Sequence, residues 1–337
     1  MKAAALHFLR GLPRVVLVMI VATAAMWVFV RVIPDSSRVS RLPITDALDE
    51  WVDWFAATLR GDLGFSGGYS ESVNDGVRRT VPITLQLALY AQILSLALSV
   101  PLALLAARWS KTALDRGIST GSLIFLSLPP IVIAPLLIAI FALGGLAIGG
   151  TQLGFEWFPT GRYTPLGESV VGHARSMTLP TLALVTGLVA PYVVVLRNEL
   201  LTVAGQDFIQ AALARGMPRR RVLLRHALPV GLPRLVAIAA AQTAVLIGNL
   251  VIIERLFLMP GFTDYVLVAI ERRDLPPLAG GTAIIAGTLA AVNLLADSVI
   301  VGLDPRRADI DSRISWAGPP RPSGWPRRRA SHRSATP

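Results

Sequence analysis

The chain has 337 residues, 53% of them hydrophobic and only 16% charged, which is too apolar for an ordinary soluble domain. Its formal net charge of +11 sits in short arginine clusters between apolar runs, with no zinc spacing and no aromatic RNA-binding signature, so nucleic acid is not the partner that the charge implies. The lack of cysteine excludes disulfides and thiolate metal sites, and His7, His173, His226 and His332 are scattered without ligand spacing, so no metal site is expected.

An all-α polytopic membrane protein is the reading that remains, with six apolar spans at about 15–33, 81–107, 118–146, 179–196, 232–253 and 281–303. Residues 1–14 are a basic lead-in to the first. A cleaved signal peptide shares the positive start and apolar core. The length of the run, and the lack of a small-residue cleavage site before Pro34-Asp35-Ser36-Ser37, favour an uncleaved span.

Residues 34–80 form the longest polar insertion and carry Asp46, Asp49, Glu50, Asp53, Asp62, Glu71 and Asp75. Within it Ile44, Ala47, Leu48, Trp51, Phe55, Thr58 and Leu59 recur at helical spacing, predicting an interfacial helix that ends at Gly61, with Trp51 and Trp54 suited to a membrane surface. Paired carboxylates allow an acid/base or calcium reading, but an exposed acidic face is the commoner explanation.

The second span opens with Pro82 and closes at Arg108-Trp109-Ser110-Lys111; Asp115-Arg116 ends that basic turn. Pro129-Pro130 and Pro135 interrupt the third, which predicts a bend near midspan. A polar loop through Trp157, Pro159 and Gly161 leads to the fourth span, which contains Pro180 and Pro191 and ends at Arg197-Asn198-Glu199.

A basic, amphipathic loop, 199–231, follows. In its second half Pro218 suits the first helical position and Pro229 marks the expected stop. Leu223, Leu224, Ala227 and Leu228 fall on one face, while Arg219, Arg221, Arg225 and His226 cover the other. Such a loop could bind anionic lipid headgroups or insert into a cleft of a cytoplasmic protein. The elbow Gly216-Met217-Pro218, which splits the segment into two short helices, and the short apolar face favour the protein. Beyond the sixth span, residues 304–337 are rich in Pro, Ser, Gly and Arg and are expected to be a disordered tail.

Of the 32 Lys and Arg, 21 fall in the N-terminus, the 108–117 turn, the 197–234 segment and the tail. That asymmetry puts both termini and the basic loop in the cytoplasm and the acidic insertion outside. No Gly-x-x-x-x-Gly-Lys-Ser/Thr phosphate loop, nucleophile elbow or zinc-protease helix occurs, so catalysis is not expected and any motor must be borrowed. Intramembrane polar residues are few. Asn293 and Asp297 lie four apart on one face, with Asp297 about 9 Å inside Leu303. They admit either a solute contact or an interhelical hydrogen bond. Gln86, Tyr90 and Gln92, and Gln242, Thr243 and Asn249, are open to the same two readings.

The sequence Gln210-Ala211-Ala212, then Gly216, then His226-Ala227-Leu228-Pro229 resembles the EAA loop of permease subunits in bacterial ABC importers, with Gln210 where the general motif has glutamate and His226 where it has isoleucine. The resemblance runs along nearly the whole chain and is to the dipeptide/oligopeptide group. It is carried by Arg60-Gly61-Asp62-Leu63-Gly64, Pro82-Ile83-Thr84-Leu85, Gly205-Gln206-Asp207-Phe208, Arg225-His226-Ala227-Leu228, Pro260-Gly261-Phe262, Arg273-Asp274-Leu275-Pro276, Asn293-Leu294-Leu295-Ala296-Asp297 and Leu303-Asp304-Pro305-Arg306. Pro34-Asp35-Ser36-Ser37 departs from the Gly-Asp-Pro common after the first span, and the arginine-rich tail has no counterpart.

The resemblance implies a type I ABC importer permease of the bacterial inner membrane that binds no cofactor itself. Its implied partners are a second homologous permease, two cytoplasmic ATPase subunits that use ATP and Mg, an extracytoplasmic solute-binding protein, and surrounding lipid. It assigns coupling to Gln210, Ala211, Ala212, Gly216, Arg219, Arg220, Arg221, Leu224, Arg225, His226, Leu228 and Pro229. The acidic insertion and the segment from Glu254 to Asp274 become docking surfaces for the binding protein. The implied solute is a peptide, while relatives also carry nickel, glutathione or other small solutes.

Overall fold

In a bilayer, a long apolar run can satisfy its backbone N–H and C=O groups only by becoming helical. The computed structural model describes residues 2–32, 44–143, 146–148, 151–153, 157–159, 161 and 163–303. The expected tail and Pro34-Asp35-Ser36-Ser37 lie outside these residues. In chain order the elements are α1 (Lys2–Val32), α2 (Ile44–Leu59), the hairpin β1 (Phe65–Ser66) and β2 (Glu71–Ser72), α3 (Val73–Arg108), α4 (Ala113–Ser127), α5 (Pro130–Phe141) and the hairpin β3 (Leu146–Ile148) and β4 (Thr151–Leu153). Then come α6 (Val170–Ala204), α7 (Asp207–Ala214), α8 (Arg219–Val222), a π-helical turn (Leu223–Ala227), α9 (Leu228–Leu256), α10 (Phe262–Arg272) and α11 (Leu275–Leu303).

Five helical runs are long and apolar enough to cross a membrane: His7–Val30 within α1, α3, α6, the rod Arg219–Leu256, and α11. α4 and α5 together are long and apolar enough to count as a sixth, but they meet at 97° in a bent pair. The corner follows from two consecutive pre-proline positions. Leu128 precedes Pro129 and Pro129 precedes Pro130, so both are extended, at φ −100°, ψ 106° and φ −60°, ψ 144°. Proline elsewhere is tolerated: α1 runs through Pro13, α3 through Pro82 and Pro101, and α6 through Pro180 and Pro191. The basic lead-in is therefore helical rather than a separate segment.

α6 is the centre of the bundle. It packs against α3, α4, α5 and α9, and buries Leu184, Leu188, Tyr192, Leu196 and Leu200. α1 pairs with α11, and α2 lies across both. The tryptophans suited to a membrane surface pack into this contact, Trp54 buried and Trp51 half-buried. Trp54 is 8% exposed, lies tilted against Trp27 with ring centroids 5.7 Å apart and donates from Nε1 to Leu63 O at 3.1 Å; Trp51 donates to Thr23 Oγ1 at 3.2 Å. The helical stripe that carries them packs against α1 and α11 because an indole that finds both apolar contact and an acceptor gains more than one at an interface.

Candidate functional site

The basic loop begins where α6 stops at Ala204. Gln210, one turn into α7, reaches back and donates from Nε2 to Ala204 O at 2.8 Å, closing the carbonyl end of α6. A carboxylate has no proton to give there, so the amide at the position where the general motif has glutamate performs a bond that glutamate could not. α7 ends in a complete Schellman arrangement. Gly216 N donates to Leu213 O at 2.9 Å, and Met217 N to Ala212 O at 3.3 Å. Gly216 takes the left-handed conformation this requires, φ +81°. Pro218, at φ −65° and ψ 137°, then caps α8, one position earlier than predicted.

The expected stop at Pro229 does not occur. The chain continues through the π-helical turn into α9, forming one rod from Arg219 to Leu256. Pro229 has no N–H to bond and crowds the preceding turn; the wider i→i+5 hydrogen bonding of a π turn relieves both. The wider turn also rotates the apolar face. Val222, Leu223 and Ala227 are buried, Leu228 and His226 are half-buried, and Leu224, placed by periodicity on the packing face, is 41% exposed. The buried set joins Ile209 and Ala212 of α7 and Leu196, Leu200 and Val203 of α6 in one core. Gly231 admits Leu196 and Leu200 closely, so the loop is riveted to the end of α6.

The outward surface is cationic with two apolar points. Arg219, Arg220, Arg221 and Arg225 are exposed and have no acidic partner among the described residues. Ala211, Gly216 and Pro229 are exposed beside them, whereas Ala212 faces inward. Phe208, 45% exposed, and Leu224 are exposed large apolar side chains of this loop. Only the motif Gly205-Gln206-Asp207-Phe208 hinted at the first, and helical periodicity concealed the second.

A cavity of about 530 Å³ lies between α3, α9, α10 and α11. Its wall is apolar except for Thr84, Gln92, Thr243, Thr263 and Thr288. Gln92 and Thr243 were legible as lining candidates; Gln86, Tyr90, Gln242, Asn249, Asn293 and Asp297 are not among its lining residues. The Tyr90 hydroxyl bonds His173 Nε2 at 3.2 Å, and His173 Nδ1 bonds Thr164 O at 2.9 Å. Gln86 Oε1 is buried without a partner among the described residues. Asn293 donates to Leu289 O of its own helix at 3.0 Å, and Asp297 is exposed one turn on, so neither makes an interhelical bond among the described residues.

At the end of the bundle opposite the basic loop, buried carboxylates are satisfied internally, while the Tyr265 hydroxyl has no partner among the described residues. Glu254 is fully buried; its carboxylate accepts from Thr84 Oγ1 and Thr263 Oγ1, each at 2.5 Å, and from Asp264 N at 3.0 Å. Gly261 is the only residue type that fits against that carboxylate, since a Cβ there would overlap it. Glu254 is thus excluded from the docking surface expected for it; Arg255, Glu271, Arg272 and Arg273 of the same segment are exposed. Nearby, Asp274 accepts from Ser66 Oγ at 2.6 Å and Gly68 N at 2.8 Å, clamping the β1–β2 hairpin onto the start of α11. Tyr69 stacks on Tyr265 with ring centroids 4.6 Å apart, and burial, with Asp264 beside Tyr69 and Glu71 beside Tyr265, pushes both phenols up, Tyr265 to about 12. These pairings join the Arg60-Gly61-Asp62-Leu63-Gly64 region to Arg273-Asp274-Leu275-Pro276, which periodicity could not pair. A third unforeseen pair, Asp115 with Arg197, lies at the loop end, Nε to Oδ1 at 2.6 Å and Nη2 to Oδ2 at 2.7 Å.

The family described as binding-protein-dependent transport system inner membrane component matches residues 99–309. The oligopeptide transport system permease protein AppB of Bacillus subtilis (strain 168) is 29% identical over 260 residues, 76% of this chain and 79% of its own length. The "Probable peptide ABC transporter permease protein y4tP" of Sinorhizobium fredii is 31% identical over 258 residues, 76% of this chain and 79% of its own. The peptide transport system permease protein SapB of Salmonella typhimurium is 27% identical over 270 residues, 73% of this chain and 81% of its own. With five helices long and apolar enough to cross a membrane, six if the bent pair α4–α5 is one span, and a family model spanning more than half the chain, the protein belongs to the binding-protein-dependent transport system inner membrane components, as a multi-pass ABC importer permease of the bacterial inner membrane.

Proposed function

We propose that this permease forms one half of a peptide translocation pathway and that its 199–231 loop seats in a cytoplasmic ATPase subunit. The observation that carries the coupling role is the outward surface of the loop: Phe208 and Leu224 stand exposed on the same loop as four exposed arginines without acidic partners among the described residues. Apolar anchors on a cationic loop suit a protein cleft, where the anchors supply affinity and the cations set orientation. The rigid attachment to α6 and α9 suits mechanical transmission. With the loop in the cytoplasm, the cation asymmetry puts both termini there as well, and the β1–β2 hairpin and α10 outside, where the solute-binding protein would dock. A second homologous permease supplies the other half of the pathway, two ATPase subunits use ATP and Mg, and lipid surrounds the rest.

The peptide assignment rests on the names of AppB and SapB and on the sequence motifs shared with the dipeptide/oligopeptide group. ATP drives transport only if it favours one global state over another, and the loop is where that preference enters the spans. The test is copurification of the ATPase subunits with Arg221→Glu/Arg225→Glu, alongside binding-protein-dependent peptide uptake into proteoliposomes. Loss of both ATPase and uptake is expected. Retained ATPase with undiminished coupled hydrolysis overturns the coupling role; uptake of another solute class but no peptide overturns the substrate.

A further inference from the structure

α4 is lightly embedded. Only Asp115 and Ser122 of its fifteen residues are buried. Above Asp115 a second cavity, about 300 Å³, separates it from α3 and α6, and Gly117 and Gly121, which face that space, have no atom within reach of a built Cβ. What fastens the N-terminal end of α4 is Asp115. It is 3% exposed, accepts from Lys111 N at 2.8 Å, and takes a two-pronged grip from Arg197 at 2.6 and 2.7 Å. Arg197 also bonds Asn198 Oδ1 at 3.0 Å and sits beside Leu196, which belongs to the core shared by α6 and the basic loop. α4 also packs along α6 and α3, but its ion pair is made with a residue of the helix to which the loop is attached.

The geometry points to Asp115–Arg197 as the pivot through which movement of the loop swings α4, and with it the 97° corner and α5; this rests on the coupling reading of the loop. A bidentate Arg–carboxylate pair is suited to the task because it fixes direction as well as distance, and burial makes its rupture costly. The cavity beside α4 leaves room for the swing. Arg197 and Asp115 are therefore positioning residues: they touch neither solute nor ATPase.

The test uses the assembled transporter in proteoliposomes, with Asp115→Asn, Arg197→Gln and the exchanged pair Asp115→Arg/Arg197→Asp. ATPase subunits are expected to copurify with every variant. In the single variants, solute transported per ATP hydrolysed should fall at least about tenfold, with partial recovery in the exchanged pair. Because the chain has no cysteine, spin labels at Ile124 of α4 and Val299 of α11 can report the swing directly. Their separation should change on ATP binding in the parent and stay fixed in Arg197→Gln. Should the single variants fail to assemble, the labels in the parent alone decide, and a separation insensitive to ATP overturns the pivot. Single variants that keep the parental transport per ATP overturn it too, while leaving the loop reading standing. A parent chain that captures no ATPase removes the loop reading and the pivot together.

Discussion

The two ends of the bundle treat polar groups in opposite ways. Around Glu254 and Asp274, carboxylates are met by hydroxyls and amides of the same chain, so that end is self-contained. Around the 199–231 loop, the backbone is capped with equal care by Gln210 and the Schellman turn, yet the arginine heads, Phe208 and Leu224 are left without partners among the described residues. A buried polar group must be paired to be tolerated, whereas an exposed cation costs little to leave open. The contrast therefore separates what holds the protein together from what it offers to another molecule.

The largest effect is expected where the self-contained end is cut. Glu254→Ala removes the acceptor for two hydroxyls and one N–H and should lower stability by about 3 kcal/mol or more, read as a lower unfolding midpoint in detergent. An unchanged midpoint would mean that the carboxylate does not hold this end. Gly216→Val forces a β-branched residue into the left-handed region at a cost of about 2 kcal/mol, confined to the loop because open space surrounds the site. ATPase copurification should weaken while the midpoint of the membrane bundle stays put; the reverse pattern would erase the distinction between the two ends.

Smaller changes sharpen it. Gln210→Glu removes the donor to Ala204 O and sets a negative charge at the C-terminus of α6, costing about 1 kcal/mol. Faster amide exchange across 204–216 would report it, and unaltered exchange would show that the cap is dispensable. Smallest for the fold is Arg219→Glu/Arg221→Glu, expected to leave stability within about 0.5 kcal/mol while abolishing ATPase capture. A large drop in midpoint would mean those guanidinium groups serve the fold after all.

Much of this was readable along the chain. The apolar runs announce the crossings, Pro129-Pro130 announces the corner, and Gly216-Met217-Pro218 announces the break between α7 and α8, because each depends on hydrogen bonding or sterics within a few residues. Periodicity failed at Leu224 and Pro229 for a local reason as well: it assumes 3.6 residues per turn, and the π turn does not obey that. That the tryptophans of α2 pack against α1 and α11 was not legible, because an amphipathic stripe does not say whether lipid or protein covers it.

The sequence by itself determined that the chain crosses a membrane, where it turns, and which loops gather cations. Those properties follow from composition and short-range spacing. Only the tertiary structure decided the long-range pairings: Thr84 with Glu254 across 170 positions, Ser66 with Asp274 across 208, and Asp115 with Arg197 across 82. An acid in the sequence carries no mark of the partner it will find; that choice is made when packed helices bring a buried charge to the one group that can satisfy it.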